Sequence, residues 1–460
     1  MDETDKETWT EESDAKGVHR KGQSVSGKKS DKSSFKFVVK SLGPGVITGA
    51  SDDDPSGIAT YSQAGAQFGF GMLWLALFQY PLMTAIQEMC ARIGLLTGSG
   101  LATVMKRKYS KKVTIPLTTL LLIANTVNIG ADIGAMAASV QLVVPQIPII
   151  VAAVSFAVFI LGSEVLVPYD KYVKILKYLT FSLFAYIITA IIVGGNWNQI
   201  LISSIIPHVE FTPAFAMMFV AIFGTTITPY VFFWQASQEA EEDVAKHKIK
   251  EIGKGKPRLI SKKDVKSMRL DTAIGMAFSQ LIMWAIVTTT AGSLHAHNVT
   301  DIQTTDQAAK ALQPIVKTFP NAGEIAKTIF ALGIVGTGLL AIPVLAGSSA
   351  YALSDIFGWN EGLNKKFKQA KGFYLVIAAS TIIGLLINFS SVNPIKALVY
   401  AAVINGVIAV PILVAVMKIA NDKQVLKDKV NGHLSNIIGW LTIMIMGISV
   451  LIMFLTFVYR

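Results

Sequence analysis

Three consecutive aspartates at positions 52–54 interrupt an otherwise apolar stretch of the chain, GPGVITGASDDDPSGIATYSQAGA. Pro55 removes a backbone donor and disfavours helical geometry at Asp54, and Gly57 loosens the backbone further. These residues predict two half-helices joined by unwound chain, in which carbonyls near Ser51 lose their helical partners. Free carbonyls beside a carboxylate are typical of a site for a hard cation. A surface loop is the alternative, but the flanking sequence is too apolar for one.

A second interruption, GTTITP, occupies residues 224–229 of another apolar stretch. Pro229 cannot donate the hydrogen bond that would use the carbonyl of Thr225, so that carbonyl is free to bind an ion. Thr228 adds a hydroxyl next to the proline. The alternative is a plain proline kink in which the threonine hydroxyls bond back to their own helix.

Further polar residues lie within the stretch ANTVNIGADIGAM, where Asn125, Asn128 and Asp132 share one helical face. They predict either a polar wall along an ion pathway or a hydrogen-bonded clamp between helices. The two interpretations are equally good for the asparagines, and the pathway is favoured for Asp132. Asn405, in VINGVIAVP, is a weaker candidate of the same kind.

Eleven segments of the chain are apolar and long enough to cross a membrane, for which a helix needs about 20 residues. Their approximate limits are 42–66, 71–95, 115–140, 147–162, 172–194, 213–236, 271–292, 325–353, 372–387, 395–416 and 434–458. The two interruptions fall in the first and sixth segments, five spans apart and therefore in opposite orientations. That arrangement is typical of two inverted five-helix repeats whose first helices unwind around a site at the midplane. We therefore predict an all-α membrane protein with repeats over about 42–195 and 213–417 and an extra helix at about 434–458.

The composition supports a membrane protein and excludes other classes. Of the 460 residues, 52% are hydrophobic and 15% are charged, whereas soluble domains have about 25% charged residues. Cys90 is the only cysteine, which excludes an intramolecular disulfide and a cysteine-based metal cage. No phosphate-binding loop or nucleophile motif is present, so neither an ATP-driven pump nor an enzyme is expected. We also expect no cofactor.

The net charge of +11 reflects membrane topology. Of the 41 lysines and arginines, 35 fall in the N-terminal tail and in the loops on the same side, and only 5 fall on the opposite side. This asymmetry predicts a protein of the cell (inner) membrane with a cytoplasmic N-terminus and an external C-terminus. Residues 1–40 are predicted to form a flexible cytoplasmic tail. The lipid bilayer is thus an expected partner, whereas nucleic acid and an obligate protein partner are not.

Four stretches of the sequence resemble the natural resistance-associated macrophage protein (NRAMP) transporters: GPGVITGASDDDPSGIATYSQAGA, QEMCARIGLLTG, NIGADIGA and FGTTITPYVFFWQ. The resemblance covers about residues 43–417. It implies an inverted-repeat, amino-acid-transporter-like (LeuT-like) fold with a divalent metal ion bound between the unwound first and sixth helices. The family's metal carboxylate is matched by Asp54, and its carbonyl ligands would come from Ser51 and Thr225.

The chain departs from the family's pattern at several of these positions. The family's Asp-Pro-Gly-Asn motif is DPSG here, so Gly57 stands in place of an asparagine ligand. Its Met-Pro-His motif is TPY, which puts Thr228 in place of the thioether and Tyr230 in place of the histidine. A second family histidine is matched by Gln235, and a glutamate on the third helix is matched by Ala135. This pattern is similar to the NRAMP-related magnesium transporter branch, which lacks the methionine and carries ions without evident proton coupling.

These observations predict a secondary transporter that imports divalent cations, Mg²⁺ with Mn²⁺ also carried, without proton coupling. An all-oxygen site suits Mg²⁺, Mn²⁺ or Ca²⁺, whereas a thioether favours softer transition metals. One alternative is a proton-coupled Mn²⁺/Fe²⁺ importer, which the lost methionine and histidines argue against and Asp132 argues for. Another is an amino-acid permease, which is disfavoured because a carboxylate at the break would repel the carboxylate of the substrate.

Two groups of site residues are predicted. The metal-site candidates are Asp54, Ser51, Thr225, Thr228, Gly57, Tyr230 and Asn405. The candidates for the ion pathway and for any proton route are Asp132, Asn128, Gln235 and Asp53.

Overall fold

The computed structural model describes residues 43–167, 183–193, 196–254, 257, 260–390 and 392–458. Within these ranges every regular element is an α-helix or a short 3₁₀ helix, which confirms the predicted all-α fold. The predicted tail, residues 1–40, lies outside the described residues. So does the first part of the fifth predicted segment, which is described only from residue 183.

Helices lie in all eleven predicted segments. In chain order the α-helices are α1 (Pro44–Asp52), α2 (Pro55–Phe68), α3 (Trp74–Thr97), α4 (Leu101–Lys108), α5 (Lys111–Val143), α6 (Ile149–Leu166), α7 (Phe184–Val193), α8 (Trp197–Ile205), α9 (Pro213–Thr226), α10 (Pro229–Ala245), α11 (Lys262–Ser293), α12 (Thr305–Lys310), α13 (Gln313–Val316), α14 (Ala322–Phe357), α15 (Lys371–Ile387), α16 (Pro394–Ala420), α17 (Lys423–Leu426) and α18 (His433–Val458).

Both predicted helix breaks are present. In the first segment α1 ends at Asp52 and α2 begins at Pro55, so Asp53 and Asp54 form the unwound connection. In the sixth segment α9 ends at Thr226 and α10 begins at Pro229. In each case proline occupies the first position of the second half-helix, where its missing N–H breaks no helical hydrogen bond.

Several helices are longer than the hydropathy pattern predicted. The largest difference is in α11, which begins at Lys262 and not near residue 271. Ser261 and Asp264 form a reciprocal capping box at its start, which lets the helix begin within a charged stretch. Hydropathy marks only the apolar part of a helix, so the polar first turns of α11 were not predicted.

The described part of the chain is rich in helices that can cross a membrane. Seven spans are long and apolar enough, with α9 and α10 together making one of them, and two sharply bent helix pairs bring the number to nine at most. Helix α15 is apolar but shorter. Many large apolar side chains on α6, α8, α15 and α18 are exposed, as expected for surfaces that face lipid.

Two glycine contacts set the positions of the broken helices. A Cβ atom at Gly49 of α1 would overlap the Gly275 carbonyl of α11. A Cβ atom at Gly224 of α9 would likewise overlap the Ala402 carbonyl of α16. Because these backbones touch directly, each broken helix lies against an unbroken one at the level of its break.

Candidate metal site

Asp54 lies at the first break, and its carboxylate is fully engaged with nearby donors. Its Oδ1 accepts hydrogen bonds from the Ser56 hydroxyl and the Gly57 backbone N–H, both at 2.7 Å. Its Oδ2 accepts one from the Asn128 amide at 2.8 Å. Asp54 therefore caps the N-terminus of α2, and the side chain is only 1% exposed. Three donors aimed at one carboxylate partly offset the cost of burying its charge.

Asn128 links Asp54 to two further predicted residues. Its amide nitrogen also lies 3.3 Å from Asp132 Oδ2, and its amide oxygen lies 3.5 Å from the amide nitrogen of Asn405. Asp132 Oδ1 and Asn405 Oδ1 have no hydrogen-bond partner among the described residues. Asn125 is different, because its amide donates to the Leu345 carbonyl and so joins α5 to α14. For that asparagine the structure favours the interhelical clamp.

The second break faces the first. The hydroxyl of Tyr230 on α10 donates to the Ser51 carbonyl at 3.0 Å. The Thr225 hydroxyl lies 3.2 Å from the point where a Cβ atom on Gly57 would be, so the absent side chain is what lets the two breaks come together. Thr228 is fully buried, and its hydroxyl has no hydrogen-bond partner in the described part of the chain.

Asp52 and Asp53 face a different neighbour. The Ser279 hydroxyl of α11 lies 2.9 Å from Asp52 Oδ2 and 3.3 Å from Asp53 Oδ1. Both carboxyl groups are completely buried, and each keeps one oxygen without a partner among the residues described here. Sequence reasoning missed Ser279, since it lies more than 200 positions away and no motif marks it. It also missed Ser56, which the DPSG motif places two residues after Asp54.

Gln235 does not contact Asp54. Its amide oxygen accepts a hydrogen bond from the Thr48 hydroxyl of α1 at 2.5 Å, and its amide nitrogen donates to Glu239 at 3.1 Å. The structure thus places Gln235 between the first half of one broken helix and the second half of the other. There it joins α1 to α10, one turn before the end of α1.

The site relies on oxygen atoms of several kinds. Over the described ranges there is no group of three or more histidine, cysteine, aspartate or glutamate side chains placed to hold a metal. Near the breaks lie four buried carboxyl groups, those of Asp52, Asp53, Asp54 and Asp132, and none forms an ion pair with a described lysine or arginine. Uncompensated carboxylates in a low-dielectric interior cost several kcal/mol each, so cations or protons must offset them.

Two cavities lie beyond α2, separated by two isoleucines. A cavity of about 400 Å³ is lined by polar residues that include Gln63 and Asp301. A second, of about 10 Å³, lies next to Ile58, one turn of α2 beyond Asp54. Ile302 and Ile395 line both cavities and therefore divide them.

Gln63 holds this division in place. Its side-chain oxygen accepts a hydrogen bond from the Ile302 backbone N–H at 2.9 Å, and its nitrogen donates to the Thr300 carbonyl at 3.2 Å. The metal-site candidates are thus enclosed from this direction, because Gln63 ties α2 to the segment that carries Ile302.

Comparisons with known proteins identify the family and the fold. The family model described as "Natural resistance-associated macrophage protein-like" matches residues 45–456. The divalent metal cation transporter MntH of Klebsiella pneumoniae (strain 342) is 24% identical over 421 residues, which cover 90% of this chain and 94% of MntH.

Two solved structures are similar in fold. The Eremococcus coleocola manganese transporter, in complex with an aromatic bis-isothiourea substituted compound, has a TM-score of 0.67 at 18% identity and covers 93% of this chain and 88% of its own. MhsT in complex with L-phenylalanine has a TM-score of 0.58 at 12% identity and covers 91% of this chain and 97% of its own. These likenesses confirm the predicted fold class.

Proposed function

We propose that this chain, which belongs to the natural resistance-associated macrophage protein-like family and is a multi-pass membrane transporter of divalent metal cations, carries Mg²⁺ and also Mn²⁺. It is a secondary transporter and not an enzyme. The observation that carries the choice of ion is the donor set. Every candidate donor at the two breaks is an oxygen atom, and the buried Thr228 hydroxyl occupies a position where a sulfur would favour softer metals.

In this proposal the ion binds between the breaks, with Asp54 as its charged ligand. The carbonyls of Ser51 and Thr225 and the hydroxyl of Thr228 complete the protein's share, directly or through water. In the form that holds the ion, the absent side chain of Gly57 would leave room for part of the ion's hydration shell. Tyr230 and Asn405 border the site.

Ion binding would replace two hydrogen-bond donors at the proposed ligand oxygens with the metal ion. The Asn128 amide now occupies Asp54 Oδ2, and the Tyr230 hydroxyl occupies the Ser51 carbonyl. Both atoms are proposed ligands, so these two donors must turn away when the ion enters. They also satisfy these two oxygens when the ion has left, so that neither is left as an unpaired buried acceptor.

We propose that transport is not coupled to protons. The positions that would relay a proton in a coupled transporter are Tyr230, Gln235 and Ala135 here, and the Gln235 amide is hydrogen-bonded to Thr48 and Glu239. Moving a divalent ion across 100 mV is worth about 4–5 kcal/mol, so the membrane potential and the ion gradient are sufficient to drive import. A proton-coupled Mn²⁺/Fe²⁺ importer is the second candidate, favoured by Asp132, whose carboxyl shares Asn128 with Asp54.

The proposed setting is the cell (inner) membrane, with the N-terminus in the cytoplasm and the C-terminus outside. The proposed domains are a cytoplasmic tail at 1–40 and a transporter domain at 41–460. Within the latter we assign the inverted repeats to about 42–195 and 213–417, followed by the additional helix at about 434–458. The 35 to 5 distribution of basic residues supports this orientation.

The proposal is tested by ion uptake into proteoliposomes that contain a pH reporter. Wild-type protein should take up Mn²⁺, and Mg²⁺ should compete with it while the lumen stays at constant pH. Asp54→Ala should abolish uptake, and Asp428→Ala, at an exposed aspartate, is the matched control. Uptake of amino acids without metal would contradict the function, whereas metal-dependent acidification would favour the coupled importer. Loss of uptake in Asp53→Ala but not in Asp54→Ala would move the ligand assignment by one residue.

A further inference from the structure

A second cluster of buried oxygens lies between the middle of α10 and the C-terminal end of α14. Asp355 is in the last turn of α14 and Glu361 follows it in the connection to α15, and both are only 6% exposed. Their carboxyl groups lie within hydrogen-bonding reach of each other. Two carboxylates cannot both stay charged at that separation unless a cation lies with them, and otherwise they share a proton.

An unpartnered hydroxyl points into the same place. Ser237 of α10 is 1% exposed, and its Oγ has no hydrogen-bond partner among the described residues. A Cβ atom on Gly100 would lie 2.9 Å from this Oγ and would overlap Asp355 Oδ2, so both oxygens converge on one point beside the Gly100 backbone. Asp355 Oδ2 and Glu361 Oε2 also lack donors within the described ranges.

The surrounding groups fix the cluster but do not neutralise it. Glu241, one turn after Ser237, accepts hydrogen bonds from the Leu363 backbone N–H at 2.7 Å and the Tyr351 hydroxyl at 2.5 Å, which holds the segment that carries Glu361. The Thr103 hydroxyl donates to Asp355 Oδ1.

No described basic side chain is paired with the two carboxyl groups. Arg107 and Lys365 are near enough to act on them electrostatically, yet neither forms an ion pair with Asp355 or Glu361 in the described part of the chain. Burial, together with the Asp355 carboxylate, raises the pKa of Glu361 well above its usual range. The C-terminus of α14 also disfavours negative charge, because the helix dipole is itself negative there.

We propose that Asp355, Glu361 and Ser237 form a second site for a hard divalent cation such as Mg²⁺ or Mn²⁺, separate from the site at the helix breaks. Two carboxylates and a hydroxyl are oxygen donors of the kind these ions select, and water would complete the coordination. A bound ion ties α10, the second half of a broken helix, to the end of α14. The assignment does not depend on the proposed transport cycle.

The test measures Mn²⁺ binding to the purified full-length protein, using the loss of the free-Mn²⁺ paramagnetic resonance signal. Wild-type protein should bind two equivalents, Asp54→Ala one, and Asp54→Ala combined with Glu361→Gln none. Mg²⁺ should displace the ion that remains in Asp54→Ala. Glu251→Gln is the matched control, since Glu251 is a partly exposed glutamate paired with Lys254, and this change should leave binding unchanged.

A milder variant guards against misfolding. Ser237→Ala removes only the unpartnered hydroxyl and, in the Asp54→Ala background, should weaken Mn²⁺ binding about tenfold. The proposal is overturned if Asp54→Ala binds no Mn²⁺, which would indicate that the two carboxyl groups share a proton. It is also overturned if Asp54→Ala combined with Glu361→Gln still binds one equivalent of Mn²⁺. If Asp54→Ala still binds two equivalents and Glu361→Gln removes one, this second site stands and the assignment of Asp54 fails instead.

Discussion

In the proposed site the hydroxyl of Tyr230 would compete with the ion for the Ser51 carbonyl, so its removal should strengthen ion binding. The hydroxyl donates to that carbonyl at 3.0 Å, and the side chain is 1% exposed. A buried hydrogen bond contributes a net of about 1 kcal/mol. In Tyr230→Phe the ion no longer has to break this bond, which corresponds to an affinity for Mn²⁺ about fivefold higher.

The same change should destabilise the empty protein. An acceptor left without a donor in the interior costs about 1–3 kcal/mol. The melting temperature of Tyr230→Phe should therefore fall in the absence of Mn²⁺, and saturating Mn²⁺ should raise it more than it raises that of the wild type. Calorimetric titration gives the affinity, and thermal unfolding with and without Mn²⁺ gives the stability.

A second tyrosine provides the control. The Tyr61 hydroxyl is also buried and lies 3.2 Å from the Thr226 hydroxyl, which is not a proposed ligand. Tyr61→Phe should lower stability without raising the affinity for Mn²⁺. Weaker binding in Tyr230→Phe would show that the phenol oxygen is itself a ligand. Equal affinity for Mn²⁺ in the wild type and in Tyr230→Phe would show that the Ser51 carbonyl does not bind the ion. Either of these two results refutes the reasoning.

Three other predictions concern the ion and its coupling. Asp54→Ala should reduce Mn²⁺ uptake to the level of empty liposomes, whereas Asp53→Ala should retain measurable uptake because Asp53 faces Ser279; the two initial rates are compared at equal protein content. Thr228→Met should make Cd²⁺ and Fe²⁺ better competitors of Mn²⁺ uptake, because thioether sulfur prefers softer metals, and an unchanged competition series would mean that position 228 does not face the ion. Luminal pH should stay constant during uptake by the wild type and by Asp132→Asn. If the wild type acidifies the lumen and Asp132→Asn does not, the proton-coupled importer is favoured instead.

The helix breaks could be predicted from sequence because their cause is local. Pro55 and Pro229 each remove a donor within the segment that they interrupt, and no distant residue is needed to explain either break. The start of α11 also has a local cause, the capping pair Ser261 and Asp264. Hydropathy does not detect it, because both residues are polar.

The partners of the site residues could not be predicted in this way. Asn128 reaches Asp54 across 74 positions, and Tyr230 reaches Ser51 across 179. Such contacts depend on which helices pack together and on how far each is shifted along its axis. A single sequence determines neither. Gln235 shows the consequence, because a position inferred from the family pattern is bonded in this structure to Thr48 and lies away from Asp54.

The contact between Gln63 and the segment at residues 300–302 has a quantitative consequence for the affinity measured from the side of the larger cavity. Two hydrogen bonds of about 1 kcal/mol each favour the enclosed form by about 2 kcal/mol, so only about 3 molecules in 100 would be open to the larger cavity. An ion arriving there binds only this open fraction. The apparent dissociation constant would therefore be about thirtyfold larger than that of the site itself. A modest apparent affinity in uptake assays is thus compatible with tight coordination at Asp54.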